Sequence, residues 1–362
     1  MTLPEALAYD AVCTRTGKVS GVIIMGSIVT MNVRAASAGL RPLIQADPWN
    51  GHIAAVYHHS LIFSASDGRL VHLHTGSQLV SPFSLCIESN WASALRTAPL
   101  SQGVPARLMG TVIDIAGHLR LRLDSIAYYR SPRPSTGAID ARAVQIAQDI
   151  LTLHGRPGGF DSLPGIQTFV TAMQQAIAAR DVEHMCAGAR DLIGLGPGLT
   201  PSGDDFLVGC LRGLWLMSHE EVATRKMFAR LGDRLLSDLK ARTTQVGAEF
   251  IRYALEGSFA EILDRAAQAL VTPAHQPLVP VAIGRLLAQG DTSGTDTVRG
   301  LLTCIDALSV DPARYRSRTL EGTAAVAATS VATKGSAQPN AYLELSPQGC
   351  VSRLRDAHAP DA

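Results

Sequence analysis

Two textures of hydrophobic patterning divide the chain. Up to about residue 135, short apolar runs alternate with polar residues and are punctuated by Gly, Ser, Asp or Asn. "GVIIMGSIVTMNV", "HIAAVYHHSLIFSAS", "RLVHLHTG" and "ARLMGTVIDIAGHLRLRLDSIAYY" are rich in Val and Ile and predict strands. Asp67-Gly68, inside "SASDGRL", is a strong hairpin signal. From about 138 to 309 the apolar positions recur every three to four residues, in eight segments running from "AIDARAVQIAQDILTLHG" to "GTDTVRGLLTCIDALSV". The expected architecture is α+β: a β-rich domain over 1–135, a small sheet or barrel, then an all-helical domain of about eight helices over 136–310. "YRSPRPSTG" (Tyr129 to Gly137) reads as a linker between them. The stretch 311–362, with "TAAVAATSVATKGSAQPN", predicts a low-complexity, mobile tail, in which "AYLELSP" is the one candidate strand.

Composition narrows the function classes. With 46% apolar and 17% charged residues, the chain has material for a sizeable core and does not read as disordered. A net charge of +1 without any basic block argues against nucleic acid as a partner. The six cysteines stand singly, with no CxxC, and fit a reducing compartment; Cys210 and Cys304 fall in apolar helical patterns as core thiols. "MTLPEALAYDAV" lacks the basic flank and apolar core of a signal peptide, and "GVIIMGSIVTMNV" is too short and too β-branched to span a membrane. A cytoplasmic soluble protein without a membrane partner is the expectation.

The chemistry concentrates in three loops. "GLGPGLTPSGDDFLVG" (Gly194 to Gly209) leads from a Gly/Pro turn, with Gly196 and Gly198, through Thr200, Ser202, Gly203, Asp204 and Asp205 into a very apolar helix. "SGDDFLVGCL" is echoed by "SGTDTVRGLL" (Ser293 to Leu302): Ser202 matches Ser293, Gly203 matches Gly294, Asp205 matches Asp296 and Gly209 matches Gly300. Thr295 lies within the second loop, and a third stretch, "ARTTQVGAEFIRYALEG", brings Arg242, Thr243 and Thr244 to a helix start. The plain structural account is a capping box at each entrance, Ser202 with Asp205 and Ser293 with Asp296. The functional account is a pocket. The turn holds more Gly and Pro than a cap needs, the second aspartate is not required by the cap, and Gly209 and Gly213 invite another helix to pack closely. Carboxylates at a helix mouth would need a metal or an arginine beside them to hold phosphate; otherwise they would hold a cation or accept from an amide NH2.

These three loops, in this order and behind a β-rich half ending in "SPFSL", resemble the AllH-like family, long described as a bacterial domain of unknown function, over about residues 20 to 310. The resemblance implies a subunit of oxamate carbamoyltransferase, part of a multi-subunit complex moving a carbamoyl group between oxamate (oxalurate) and phosphate in purine or allantoin nitrogen breakdown. The chain departs from the family pattern at Gly247, where Ser is expected in many members, and at Asp291, where a histidine is expected.

On this basis the leading expectation is a carbamoyltransferase subunit whose small-molecule substrate bears a phosphate or carbamoyl group. The loop N–H groups and Arg242 would hold phosphate, and Asp205 and Asp296 would orient the carbamoyl NH2 or a metal. Thr200, Ser202 and Ser293 would supply hydroxyls, with Gly196, Gly198, Gly203, Asp204, Thr243, Thr244, Gly294 and Thr295 completing the substrate site. One alternative is a metal-dependent amide or phosphoester hydrolase, with Asp204, Asp205 and Asp296 as oxygen ligands for Mg²⁺ or Mn²⁺. Another is a non-catalytic scaffold subunit. His72 and His74 of "VHLHT", near His58 and His59, would share a metal on one strand face; the plainer expectation is polar side chains on an exposed hairpin face.

Overall fold

The computed structural model describes residues 28–309 apart from 47, 58–59, 77–80, 88–99, 134–137, 219–220, 238 and 272. The tail after 310, the strand expected at "AYLELSP", the first part of "GVIIMGSIVTMNV", and His58 and His59 lie outside the described residues.

Nine strands form the first part: β1 (Val29–Ser37), β2 (Trp49–Val56), β3 (Ser60–Ala65), β4 (Leu70–Thr75), β5 (Ser84–Ile87), β6 (Pro105–Met109), β7 (Val112–Ile115), β8 (Leu119–Arg122) and β9 (Ala127–Tyr129). A five-residue helix, α1 (Arg41–Gln45), follows β1. The sheet runs β5-β4-β3-β2-β6-β7-β8-β1, and β1 also pairs antiparallel with β5, so eight strands close into a barrel. β9 lies parallel to β1 beyond the end of β8, with Ala35 opposite Ala127. Alternation sorts the side chains. Leu61, Phe63, Leu73 and Leu85 share one face and have no exposed surface, while Ser60, Ile62, His72, His74, Ser84 and Cys86 share the other. The hairpin expected at Asp67-Gly68 joins β3 to β4, and Gly68 turns with φ +80°.

The helical part comprises α2 (Ala141–His154), α3 (Ile166–Ala179), α4 (Val182–Leu192), α5 (Ser202–Met217), α6 (Val222–Leu235), α7 (Leu239–Arg242), α8 (Gln245–Leu255), α9 (Glu261–Gln268), α10 (Val279–Leu287) and α11 (Ser293–Leu308). Among the described residues, the eight periodic segments thus become ten α-helices. One break falls at Arg180, which turns left-handed (φ 57°). Asp181 then caps α4 by accepting from the Glu183 and His184 amides. The other separates α6 from α7.

At the centre, α5 crosses α11. All but two of the side chains of α5, Trp215 and Met217, are buried. A Cβ on Gly209 would run into the Thr297 carbonyl, and a Cβ on Gly300 into the Phe206 carbonyl; at Gly213 it would meet Cys304 Cβ at 2.9 Å. The two backbones therefore touch through reciprocal glycines. Cys210 and Cys304 lie in this contact, both free and buried. Past its first turn, α5 carries one buried cation: Arg212 Nε donates to Asp264 Oδ1 at 2.7 Å, and Tyr129 Oη donates to Asp264 Oδ2 at 3.0 Å. The segment read as a linker is fastened at its start. Ser131 Oγ accepts from the Phe259 amide at 2.8 Å, and Trp215 Nε1 donates to the Pro132 carbonyl at 3.0 Å.

Gly300→Ala should destabilise the chain by about 3 kcal/mol, because no rotamer relieves a Cβ held against a carbonyl of the facing helix. Urea unfolding checks it; Gly284→Ala, also inside a helix but with nothing within 4 Å of the added Cβ, separates the clash from the change of residue.

Candidate functional site

The glycine contact brings the two entrances to the same end of the crossed helices. Thr200 Oγ1 lies 3.1 Å from Ser293 Oγ, joining the two loops directly. The entrances are built alike. The Pro201 carbonyl accepts from the Asp205 amide at 3.1 Å, and the Thr292 carbonyl from the Asp296 amide at 3.0 Å. Gly203 backs onto the Leu192 carbonyl at the end of α4, and Gly294 onto the Leu286 carbonyl in α10.

The capping boxes expected from the sequence are not formed. The N-cap positions are Pro201 and Thr292, neither with a side-chain cap bond, so Ser202 and Ser293 are already inside their helices. Crossing the helices turns each serine toward the other's acid. The Ser293 and Thr200 hydroxyls face Asp205, and the Ser202 and Thr292 hydroxyls face Asp296. Asp205 is 9% exposed and Asp296 1%, and Oδ2 of each has no hydrogen-bond partner among the described residues. Asp296 Oδ1 accepts from the Phe160 amide at 3.0 Å.

Burial drives the Asp205 carboxyl well above the usual carboxylate range. The charge of Asp296 adds to this, and the Ser293 and Thr200 hydroxyls only partly oppose it. Burial likewise raises Asp296, against the pull of the Phe160 amide and of Ser202 and Thr292. The cluster is therefore a buried, hydroxyl-lined carboxyl pair with two oxygens, Asp205 Oδ2 and Asp296 Oδ2, unpaired among the described residues.

Asp204 does something else. Its Oδ1 accepts from the Gly194 amide at 2.7 Å and its Oδ2 from the Thr243 hydroxyl, tying the Gly/Pro turn to the approach to α8. Thr244 caps α8 by accepting from the Gly247 amide at 2.9 Å, and it donates to the Leu199 carbonyl. A Cβ on Gly247 would press on Asp204 Oδ2, so the space a serine needs is taken here by the carboxylate. Gly196 packs beside the Ser202 amide, whereas Gly198 is exposed with nothing within 4 Å. The Arg242 side chain is exposed, and its backbone carbonyl is what meets the turn, at Gly194. Thr295 is buried and accepts from the Arg156 amide at 3.0 Å. The structure thus brings together Thr200, Ser202, Asp205, Ser293 and Asp296, sets Asp204, Thr243 and Thr244 behind them, and leaves Arg242 at the surface.

One contributor was missed. The segment "HGRPGGF" after α2 lies across the second entrance. Gly159 (φ +54°) fits where a Cβ would stand 2.6 Å from both Asp296 Oδ2 and Thr292 Oγ1, and Phe160 stacks on Phe206 with ring centroids 4.2 Å apart. Asp161 pairs with Arg299. Its Pro-Gly-Gly texture matches the turn before α5 and was the available signal.

Among the described residues, no group of three or more His, Cys, Asp or Glu is placed to hold a metal ion. The Asp204–Asp205–Asp296 ligand set is not assembled, because neighbouring helical positions point about 100° apart and Asp204 is committed to Gly194 and Thr243. The histidines of β4 are not on an exposed face: His74 is 5% exposed, and burial together with the nearness of His74 pushes His72 down to about 3. Two cavities, about 340 Å³ beside α9 and α10 and about 390 Å³ beside β2 and β6, lie away from the carboxyl pair. No described helix is long and apolar enough to cross a membrane.

The chain is thus a barrel followed by a helical body in which the two Ser-Gly-x-Asp entrances converge. The family model described as oxamate carbamoyltransferase subunit AllH matches residues 192–305, and the family likeness is shown over that stretch. It contains both entrances and Thr243–Thr244. No solved structure matches the chain.

Because Asp205 is raised in the folded state, the native protein holds its proton more tightly than the unfolded chain does. Its contribution is full at acid pH and is lost as pH rises from the ordinary carboxylate range through the raised value. Asp205→Asn should remove this loss. The variant should be more stable than the parent at pH 8, relative to their difference at pH 5, by roughly 1–2 kcal/mol. Denaturant midpoints at the two pH values check it.

Proposed function

We propose that this chain is a subunit of a carbamoyltransferase acting on oxalurate, oxamate and carbamoyl phosphate, within the nitrogen breakdown of purines or allantoin in the cytoplasm, alongside other subunits. The observation that carries this reading is the convergence of two buried entrances, each presenting a carboxyl oxygen without a partner among the described residues. An amide or carbamoyl NH2 has two donors, and one such group satisfies both oxygens. The match to a family described as an oxamate carbamoyltransferase subunit supports the substrate class.

In the reaction, the ureido C–N bond of oxalurate breaks as a C–O bond to phosphate forms, and the phosphate proton ends on the departing amide nitrogen. Asp205 and Asp296 hold the NH2 group, and Thr200, Ser202 and Ser293 orient the carbonyl. Arg242 and the Gly196–Gly198 turn meet the phosphate. Catalysis then rests on positioning and on charge stabilisation, without a covalent nucleophile.

A non-catalytic subunit is the second reading, favoured by the distance of the carboxyl pair from both cavities. Thermal melts of the chain with carbamoyl phosphate and with oxamate separate the two. Saturating oxamate should raise the midpoint by roughly 5 °C, and Asp205→Asn and Asp296→Asn should abolish the rise. A parent chain that responds to neither compound would contradict a substrate site in this subunit and favour the second reading.

A further inference from the structure

A ligand with a negative end cannot sit beside buried carboxyls without a cation, and the described residues offer no metal cluster there. One guanidinium is built into the second entrance. Arg156 follows α2, outside the stretch matched by the family model. Its backbone amide donates to the buried Thr295 hydroxyl at 3.0 Å, which fixes the residue against the first turn of α11. Its Nη1 donates to the Gly290 carbonyl at 2.7 Å and the Asp291 carbonyl at 3.0 Å. Nε and Nη2, the side-on fork of the guanidinium, have no partner among the described residues.

The place is specific. Gly290 lies against Ser293: a Cβ there would stand 3.3 Å from Ser293 Oγ. Arg156 and the Ser293 hydroxyl therefore flank the same residue, and Ser293 in turn faces Asp205 and Thr200. Among the described residues, the carboxylate paired with the guanidinium is Asp291 at 3.8 Å, with a fully exposed side chain, a pair that solvent screens and a ligand displaces at little cost.

We infer that Arg156 forms an anion subsite that takes the carboxylate of an oxamate-type ligand whose amide end lies at Asp205 and Asp296. This rests on the reading of the carboxyl pair as an amide site. A planar carboxylate suits the free edge of the guanidinium, which is anchored through its third nitrogen and so is oriented before the ligand arrives. Arg156 is then a specificity residue: it separates oxamate from amides without the acid group.

Calorimetric titration of the full chain with oxamate, with its neutral analogue oxamide and with inorganic phosphate tests this. Arg156→Gln should weaken oxamate at least tenfold and change oxamide less than twofold. Arg156→Lys should fall between, keeping the charge but losing the fork. Arg285→Gln, an exposed arginine beside α9, controls for net charge and should change neither. Equal weakening of oxamate and oxamide in Arg156→Gln would reveal loop loosening and overturn the subsite. So would a loss confined to phosphate, or no loss at all. If Asp205→Asn alone abolishes binding of both amides, the amide site stands and the Arg156 subsite falls; if the parent chain binds neither amide, both fall.

Discussion

Everything in the helical half depends on two glycines that let backbones touch. Gly209 against the Thr297 carbonyl and Gly300 against the Phe206 carbonyl set the crossing of α5 and α11. With ordinary side chains at these positions, helix axes stand 8–10 Å apart, at a distance set by what lies between them. Removing the side chains from both sides brings the first turns together and turns two unrelated-looking loops into one polar cluster. The Ser-to-Asp facing across the junction follows from that geometry, and so does the burial that raises both carboxyls.

A second constraint ties this core to the barrel. Arg212 is 1% exposed, and its charge is met by Asp264, itself held by Tyr129 at the end of β9. Desolvation lowers Arg212 and raises Asp264 while their mutual attraction opposes both shifts. A buried pair of this kind adds little net stability, but either partner left alone is costly. β9, on the barrel's edge, and the central helix are therefore held in one relative arrangement.

Much of the architecture could be read from the chain. Alternation marked the strands and three-to-four spacing marked the helices, because each reflects one buried face. Ring closure could not be read, since β1 and β5 are separated by nearly fifty residues and their pairing is a tertiary fact. The helix break at Arg180 was hidden because the apolar period continues across it. In the site, the repeat of Ser-Gly-x-Asp marked residues that the fold brings together, yet local capping rules assigned the wrong partners. Those rules consider one helix at a time, and here the facing helix supplies the acid. Arg156 and Gly159 escaped notice because they carry no Ser or Asp, and their contacts lie about 135 residues away in the chain.

Barrel closure has a consequence for assembly. Eight strands hydrogen-bonded in a ring leave almost no open backbone for a neighbour to pair with, and β9, three residues long, offers little more. Through the described residues, strand donation is thus a poor route for joining this chain to another. A companion protein docking on the described barrel or helices would meet side chains, where recognition is set by shape and polarity rather than by main-chain register.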